Sequence, residues 1–141
     1  AWNLAGFSGQ VCAAMDARRH QIYNARFQVD GQCPRRLTPD RAISLDDLVQ
    51  ELAGTQTPQL VVGDGAQLCY DALTDAGIPA VLAPPNLRMQ SAWGVARQAL
   101  ALAQAGQTLS PAQLVPVYHR LSQAERERLE REQAAQTPHP Q

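Results

Sequence analysis

Apolar and polar residues alternate along the chain with two different periods, and the first half carries the strand period. A compact apolar run at 11–15 predicts a buried strand, and residues 21–29 alternate with the period of two of a half-buried strand. The polar residues 17–20 between them have the length of a hairpin connection. The segment 35–43 predicts a weaker strand, which Pro39 places at a sheet edge or splits. The first half therefore predicts a three-stranded meander.

The alternation also assigns the side chains of the second strand to two faces. We expect Tyr23 and Phe27 to face the core with the other odd-numbered residues, and Asn24 and Arg26 to lie on the opposite face.

In the second half, helical periodicity alternates with short strands. Helices are predicted at 44–53, 66–76 and 89–105, and strands at 59–62 and 78–83. The order β-β-β-α-β-α-β-α predicts an α/β domain with helices packed on a mixed sheet. Ribonuclease-H-like lobes have this order, which is an analogy of fold and carries no function by itself.

The two ends of the chain differ from the domain between them. Residues 1–10 begin like the last turns of a helix, which suggests that sequence precedes Ala1. In the tail at 121–141, Ser122 and Glu125 form a capping box that opens a polar helix, and the final residues are expected to fray. The lobe itself is therefore expected to occupy residues between these ends, at 11–120.

The composition narrows the class of protein. A chain of 141 residues with 45% apolar content can bury one core, and a net charge of -1 gives no global attraction to nucleic acid or anionic lipid. No stretch approaches the ~20 apolar residues of a membrane span. Three widely spaced cysteines are neither a disulfide framework nor a zinc site, so we expect a cytoplasmic protein with Cys12 as an inert buried thiol.

Candidates for catalysis and metal binding are weak. Ser8 lacks the flanking pattern of a hydrolase elbow, and Cys12 has no evident base. His20, His119 and His139 are far apart and show no metal-ligand spacing. We therefore expect no catalytic residue and no metal site within this chain.

One glycine turn is a candidate for phosphate binding. Gly63, Asp64 and Gly65 lie between a predicted strand and a helix, where backbone N–H groups can face a phosphate. The alternative is a tight turn whose glycines allow positive φ, and Asp64 would repel a phosphate.

A second candidate is basic. Arg18-Arg19 and Arg35-Arg36 are expected to lie near each other in the meander, close to Tyr23, where they could contact a phosphate backbone. The alternative is a solvated hairpin end.

Three motifs in the same order resemble the bacterial TsaB (YeaZ) family of tRNA threonylcarbamoyladenosine biosynthesis proteins. The first is the strand-turn-strand at 11–27, and the second is the strand and glycine turn at 60–66. The third is the segment at 115–130. The matching residues are Asp16, Ala17, Arg18, Ile22, Tyr23, Pro116, Tyr118, Arg120, Ser122, Gln123, Ala124 and Glu125.

The resemblance covers only the second of the family's two lobes, which are of the actin-like ATPase and ribonuclease-H-like type. It implies a non-catalytic subunit that supports the catalytic paralogue TsaD, together with the ATPase TsaE and, indirectly, tRNA. ATP or ADP would bind only with the N-terminal lobe, and an uncovered lobe surface invites self-association. Some relatives carry glycoprotease-like labels. We expect Asp16 to organise the turn, with Arg18 and Arg19 as candidate partner or tRNA contacts.

Overall fold

The computed structural model of the protein describes residues 1–119. The predicted polar helix at 121–141 and the family-like residue Arg120 lie outside the described residues.

Strands and helices alternate along the described part of the chain much as the sequence patterns predict. The strands are β1 (Ser8–Asp16), β2 (Gln21–Asp30), β3 (Arg35–Arg36), β4 (Arg41–Ser44), β5 (Gln59–Val62) and β6 (Ala80–Leu82). The helices are a 3-10 turn (Trp2–Leu4), α1 (Leu45–Leu52), α2 (Ala66–Asp75), α3 (Pro85–Arg88) and α4 (Ala92–Gln104).

All of these strands join one mixed sheet. Its order is β3-β2-β1-β5-β6, and β4 also pairs with β2. Strand β2 runs antiparallel to β1, β3 and β4. Strand β5 runs parallel to β1, and β6 runs parallel to β5. The α/β class with a mixed sheet is confirmed. The predicted third strand is split into β3 and β4, because Pro39 lies between them and cannot donate to the ladder.

Two helices differ from their predicted bounds. The chain start forms only one 3-10 turn, and β1 then begins at Ser8. The longest predicted helix begins later than expected, because Ser91 caps α4 by accepting the N–H of Gly94, and α3 is a separate turn that starts at Pro85.

The sheet is covered well on one face. Helices α1 and α2 pack there over a core that contains Cys12, Ile22, Leu48, Val61 and Leu73, all of them at most 1% exposed. Ser44 caps α1 by accepting the N–H of Asp47, and Asp46 and Asp47 occupy the first turn, where the helix dipole favours anions.

The other face is covered only in part. Leu4 of the 3-10 turn packs there against Val11, Val29 and Val62. Helix α4 contributes no buried residue. Its apolar side chains Trp93, Ala96, Leu100 and Ala103 are all exposed.

This uneven cover corrects the assignment of Tyr23. Tyr23 is 36% exposed, whereas Asn24, expected on the more open face, is only 3% exposed. Tyr23 lies opposite Met15, which is also exposed, on the sheet face away from α1 and α2. Asn24 lies on the helix-covered face, where its amide donates to the carbonyl of Ala13. Period two was correct, but it does not indicate which face the helices cover.

Candidate functional site

The candidate site lies where two parallel neighbouring strands end. Strands β1 and β5 pair in parallel, so their carboxyl ends meet at the same edge of the sheet. This brings together Asp16 and the Gly63–Gly65 turn, which the sequence presented as separate motifs. The backbone N–H of Asp16 donates to Asp64 Oδ1 (3.3 Å), and the N–H of Gly65 donates to the carbonyl of Ala14 (3.1 Å).

The two glycines are required by the close approach of β1. Gly63 has φ +113°, and a Cβ there would overlap the carbonyl oxygen of Ala14. A Cβ on Gly65 would lie 2.8 Å from the backbone nitrogen of Asp16. Any side chain at either position would push the turn away from the strand.

The N–H groups of these glycines are occupied within the chain. Gly63 donates to the carbonyl of Arg88 (2.7 Å), and Gly65 donates to Ala14. The carboxylate of Asp64 accepts from Asp16 and from the Gln90 side chain (3.3 Å). Packing therefore accounts for the turn, and a nucleotide bound here would have to use other groups.

Beside the glycine turn lies the hairpin that joins β1 to β2. Asp16 Oδ1 accepts the backbone N–H of Arg18 (2.7 Å), and its other oxygen lies 3.3 Å from the Arg18 guanidinium. The prediction that Asp16 organises this turn by accepting a backbone N–H is confirmed. The Arg18 side chain is 86% exposed despite this ion pair, so it is accessible to a partner.

The hairpin backbone adopts an uncommon conformation. Arg18, Arg19 and His20 all have φ between +55° and +64°. The N–H of Gln21 donates to the carbonyl of Arg18 (3.1 Å), which makes Arg19 and His20 the central residues of a tight turn. Positive φ at both central positions is what a type I′ hairpin turn requires, although Asn-Gly is the usual sequence there.

The expectation of a four-arginine cluster is wrong. Arg35 pairs with Gln28, seven residues beyond Gln21 along β2, or about 24 Å at ~3.4 Å per residue. Arg36 is engaged at that far end, where its guanidinium binds Asp40 (2.7 Å) and lies 4.8 Å from the centre of the Phe27 ring.

Two apolar grooves open on the less covered sheet face next to the site. One, of about 460 Å³, is lined by Met15, Tyr23 and Phe27, with Tyr118 at its border. The other, of about 480 Å³, lies between the sheet and α4 and includes Gly63 in its lining. Ala13 and Met15 line both grooves, so the two grooves form one continuous surface beside the hairpin.

The third motif is only partly described. Tyr118 is 85% exposed at the border of the first groove, and Pro116 is also exposed. Arg120 lies beyond the described residues.

The candidates for catalysis stay separate. Ser8 is exposed at the start of β1, far along the strand from Asp16, and His20 lies in the hairpin turn. Within residues 1–119, no three or more His, Cys, Asp or Glu side chains are arranged to hold a metal ion. In the same range, no helix combines the length and apolar character needed to cross a bilayer.

Sequence reasoning missed a polar network on the helix-covered face. Glu51 binds Arg41 (2.7 Å) and Arg26 (2.9 Å), and Arg41 donates to the side-chain oxygen of Asn24 (3.0 Å). The bond from Arg41, with a further contribution from Arg26, holds the pKa of the Glu51 carboxyl below its usual value. The partners come from β2, β4 and α1, so no local spacing could have indicated them.

Comparison with known proteins gives a match at the level of structure. No family model matches the chain, and no curated protein matches it significantly. One structural neighbour is an uncharacterized Pseudomonas aeruginosa protein described as similar to peptidase YEAZ, with 20% identity and a TM-score of 0.57. A second is YeaZ from Pseudomonas aeruginosa, with 19% identity and a TM-score of 0.55.

These two matches cover 80% and 79% of this chain, but 50% of each neighbour. The chain thus spans about half the length of the structures it resembles. At this identity the likeness shows the fold alone, and the chain has the fold of about half of a YeaZ-like protein.

Proposed function

We propose that this chain is a non-catalytic lobe of a TsaB-like subunit in the tRNA threonylcarbamoyladenosine machinery, where it supports a TsaD-like catalytic paralogue. The main support for this proposal is the contact between the hairpin at Asp16 and the Gly63–Gly65 turn. Two of the three family-like motifs therefore form one structural unit, although Asp16 and Gly63 are 47 positions apart in the sequence.

We also infer that the sheet is ribonuclease-H-like, of the kind found in actin-like ATPases. The antiparallel β1–β2 pair at one side of the sheet and the parallel strands β5 and β6 at the other are consistent with this assignment. The YeaZ-like structural neighbours support this assignment. The proposal implies a cytoplasmic protein, because the modification acts on tRNA.

A scaffold role also fits the chemistry of the site. The polar groups of the site are engaged within the chain: Asp16 binds Arg18 in the hairpin, and Asp64 of the glycine turn accepts from Gln90. The exposed features beside them are a guanidinium and an apolar groove, which suit a protein contact better than proton transfer. One neighbour is described as similar to a peptidase, but within residues 1–119 Cys12, the thiol candidate here, has only Cys69 and Asn24 as side-chain hydrogen-bond partners.

Binding to a purified TsaD-like paralogue tests the proposal. We expect the chain to bind, and Arg18→Glu to weaken binding at least tenfold, because it reverses the charge at the exposed hairpin. Arg35→Glu is the matched control, since Arg35 is exposed at the opposite end of β2. An unmodified chain that does not bind, or two variants that weaken binding equally, would contradict the proposed role of the hairpin.

A further inference from the structure

Two cysteines that are distant in sequence meet in the core. Cys12 on β1 and Cys69 on α2 are 57 residues apart, and their Sγ atoms lie 3.8 Å from each other. Both side chains are 0% exposed, and both are free thiols. The third cysteine, Cys33, is exposed in the turn between β2 and β3.

The two sulfur atoms have different surroundings. Asn24 donates its amide to Cys12 Sγ (3.3 Å), and Arg41 holds the oxygen of that amide from the other side (3.0 Å). With Cys69 as donor to Cys12, the pKa of the Cys12 thiol is lowered, and Asn24, Arg26 and Arg41 add to the effect although burial opposes it. The bond to Cys12 and burial raise the pKa of Cys69. Cys12 is therefore the sulfur that ionises first.

We propose that Cys12 and Cys69 form a redox modification site, which a small peroxide converts into an intramolecular disulfide. The Cys12 thiolate attacks a peroxide oxygen, the O–O bond breaks, and the products are a sulfenic acid and, after protonation, one water. The Cys69 sulfur then attacks Cys12 Sγ, the S–O bond breaks, and a second water leaves. The two thiols lose two electrons and two protons, which hydrogen peroxide accepts, and a thiol reductant reverses the change.

The geometry favours the second step. A disulfide needs its sulfur atoms ~2.05 Å apart, so the pair has to close by less than ~2 Å. Both thiols are buried, so peroxide reaches them during local openings of α2 over the sheet. Oxidation of this pair is therefore slower than oxidation of the exposed Cys33.

The bond would connect two parts of the candidate site. Cys69 lies in the first turns of α2, which starts directly after the Gly63–Gly65 turn, and Cys12 lies on the strand that ends at Asp16. Oxidation would hold α2 against β1, so amide hydrogen exchange in α2 would slow.

Peptide mapping of the oxidised chain tests this site. The Cys33→Ser chain is treated with hydrogen peroxide while folded, then denatured, alkylated and digested without reductant. We expect a peptide pair linked through Cys12 and Cys69, with a mass ~2 Da below the sum of the two thiol peptides. Reductant should separate it, and amide exchange in α2 should be slower in the linked form.

Two comparisons make the result decisive. In Cys33→Ser/Cys69→Ala no linked peptide can form, and we expect a sulfenic-acid probe to label Cys12 instead. If that variant does not fold, the peptide map of the oxidised Cys33→Ser chain is sufficient to test whether Cys12 and Cys69 become linked. The proposal is overturned if Cys12 and Cys69 stay alkylatable after prolonged peroxide treatment of the folded chain. It is also overturned if the link forms only when denaturant is present during oxidation.

Discussion

At the residue scale, single atoms determine which side chains the candidate site tolerates. Gly63 is the clearest case, since it combines φ +113° with a position where a Cβ would overlap a backbone carbonyl of β1. Asp16 is another, because its carboxylate holds both the backbone and the guanidinium of Arg18. These residues shape the site, and only Arg18 among the three extends into solvent.

The first prediction concerns Gly63→Ala. We expect a loss of about 3 kcal/mol or more in the free energy of unfolding, because the substitution adds a backbone clash to an unfavourable φ. Gly54→Ala is the matched control. Gly54 also has positive φ (+77°) but no atom within 4 Å of a Cβ, so it should lose only about 1 kcal/mol. Equal losses in urea unfolding would show that the close approach to β1 does not exist.

A second prediction at this scale concerns Glu51 and pH. The pKa of its carboxyl is lowered in the folded protein. The stability that Glu51 adds is therefore fully present above the carboxyl's pKa in the unfolded chain, about 4.3, and is lost as the pH falls through its pKa in the folded protein. The difference in unfolding free energy between wild type and Glu51→Gln should therefore shrink as pH falls from about 5 to 3. In an Arg41→Gln background this pH dependence should weaken, because the largest cause is removed. Parallel stability curves would contradict the ion-pair network.

At the scale of elements, the β1–β2 hairpin connects two strands through an unusual turn. Arg19 and His20 occupy the central positions with φ +55° and +57°, in the left-handed region where residues other than glycine are uncommon. The turn persists because it continues a long antiparallel ladder, in which Met15 pairs with Tyr23 and Asp16 with Ile22.

The third prediction is that Arg19→Asn/His20→Gly stabilises the protein. These residues match a type I′ turn, so we expect a gain of about 1 kcal/mol in unfolding free energy. Arg18 and its bond to Asp16 are unchanged in this variant. A loss of stability in urea unfolding would show that the turn has another backbone conformation.

The sequence predicted elements well and their surroundings less well. Local periods and breakers located β2, α1 and the turn at Gly63, and Pro39 indicated a split edge strand. What covers each face depends on distant elements, so the exposure of Tyr23 and of α4 could not be read from alternation. The Cys12–Cys69 pair and the Glu51 network likewise form only in the tertiary structure, so the spacing of these residues along the sequence could not predict them.

At the scale of the whole molecule, the uneven cover of the sheet is the main feature. One face is sealed by α1 and α2, whereas the other presents the continuous groove surface around Met15, bordered by an α4 with no buried residue. Exposed apolar surface of this kind favours association with another protein surface.

The fourth prediction is concentration-dependent self-association in the absence of a partner. Met15→Gln should reduce it in sedimentation velocity, because Met15 lines both grooves and is 47% exposed. Leu68→Gln is the matched control, since Leu68 is 46% exposed on α2, on the other side of the sheet. A strictly monomeric wild type, or equal effects of both substitutions, would contradict this role of the groove surface.

We propose that the chain supports a tRNA-modifying enzyme without carrying the chemistry itself. The most direct test of this proposal is formation of threonylcarbamoyladenosine on tRNA by TsaD-like and TsaE-like proteins, given a threonylcarbamoyl donor, with and without this chain. We predict that product formation depends on the chain, that Arg18→Glu reduces it, and that the chain alone makes none. Product formation that is unchanged by the chain at every concentration, or turnover by the chain alone, would contradict the account.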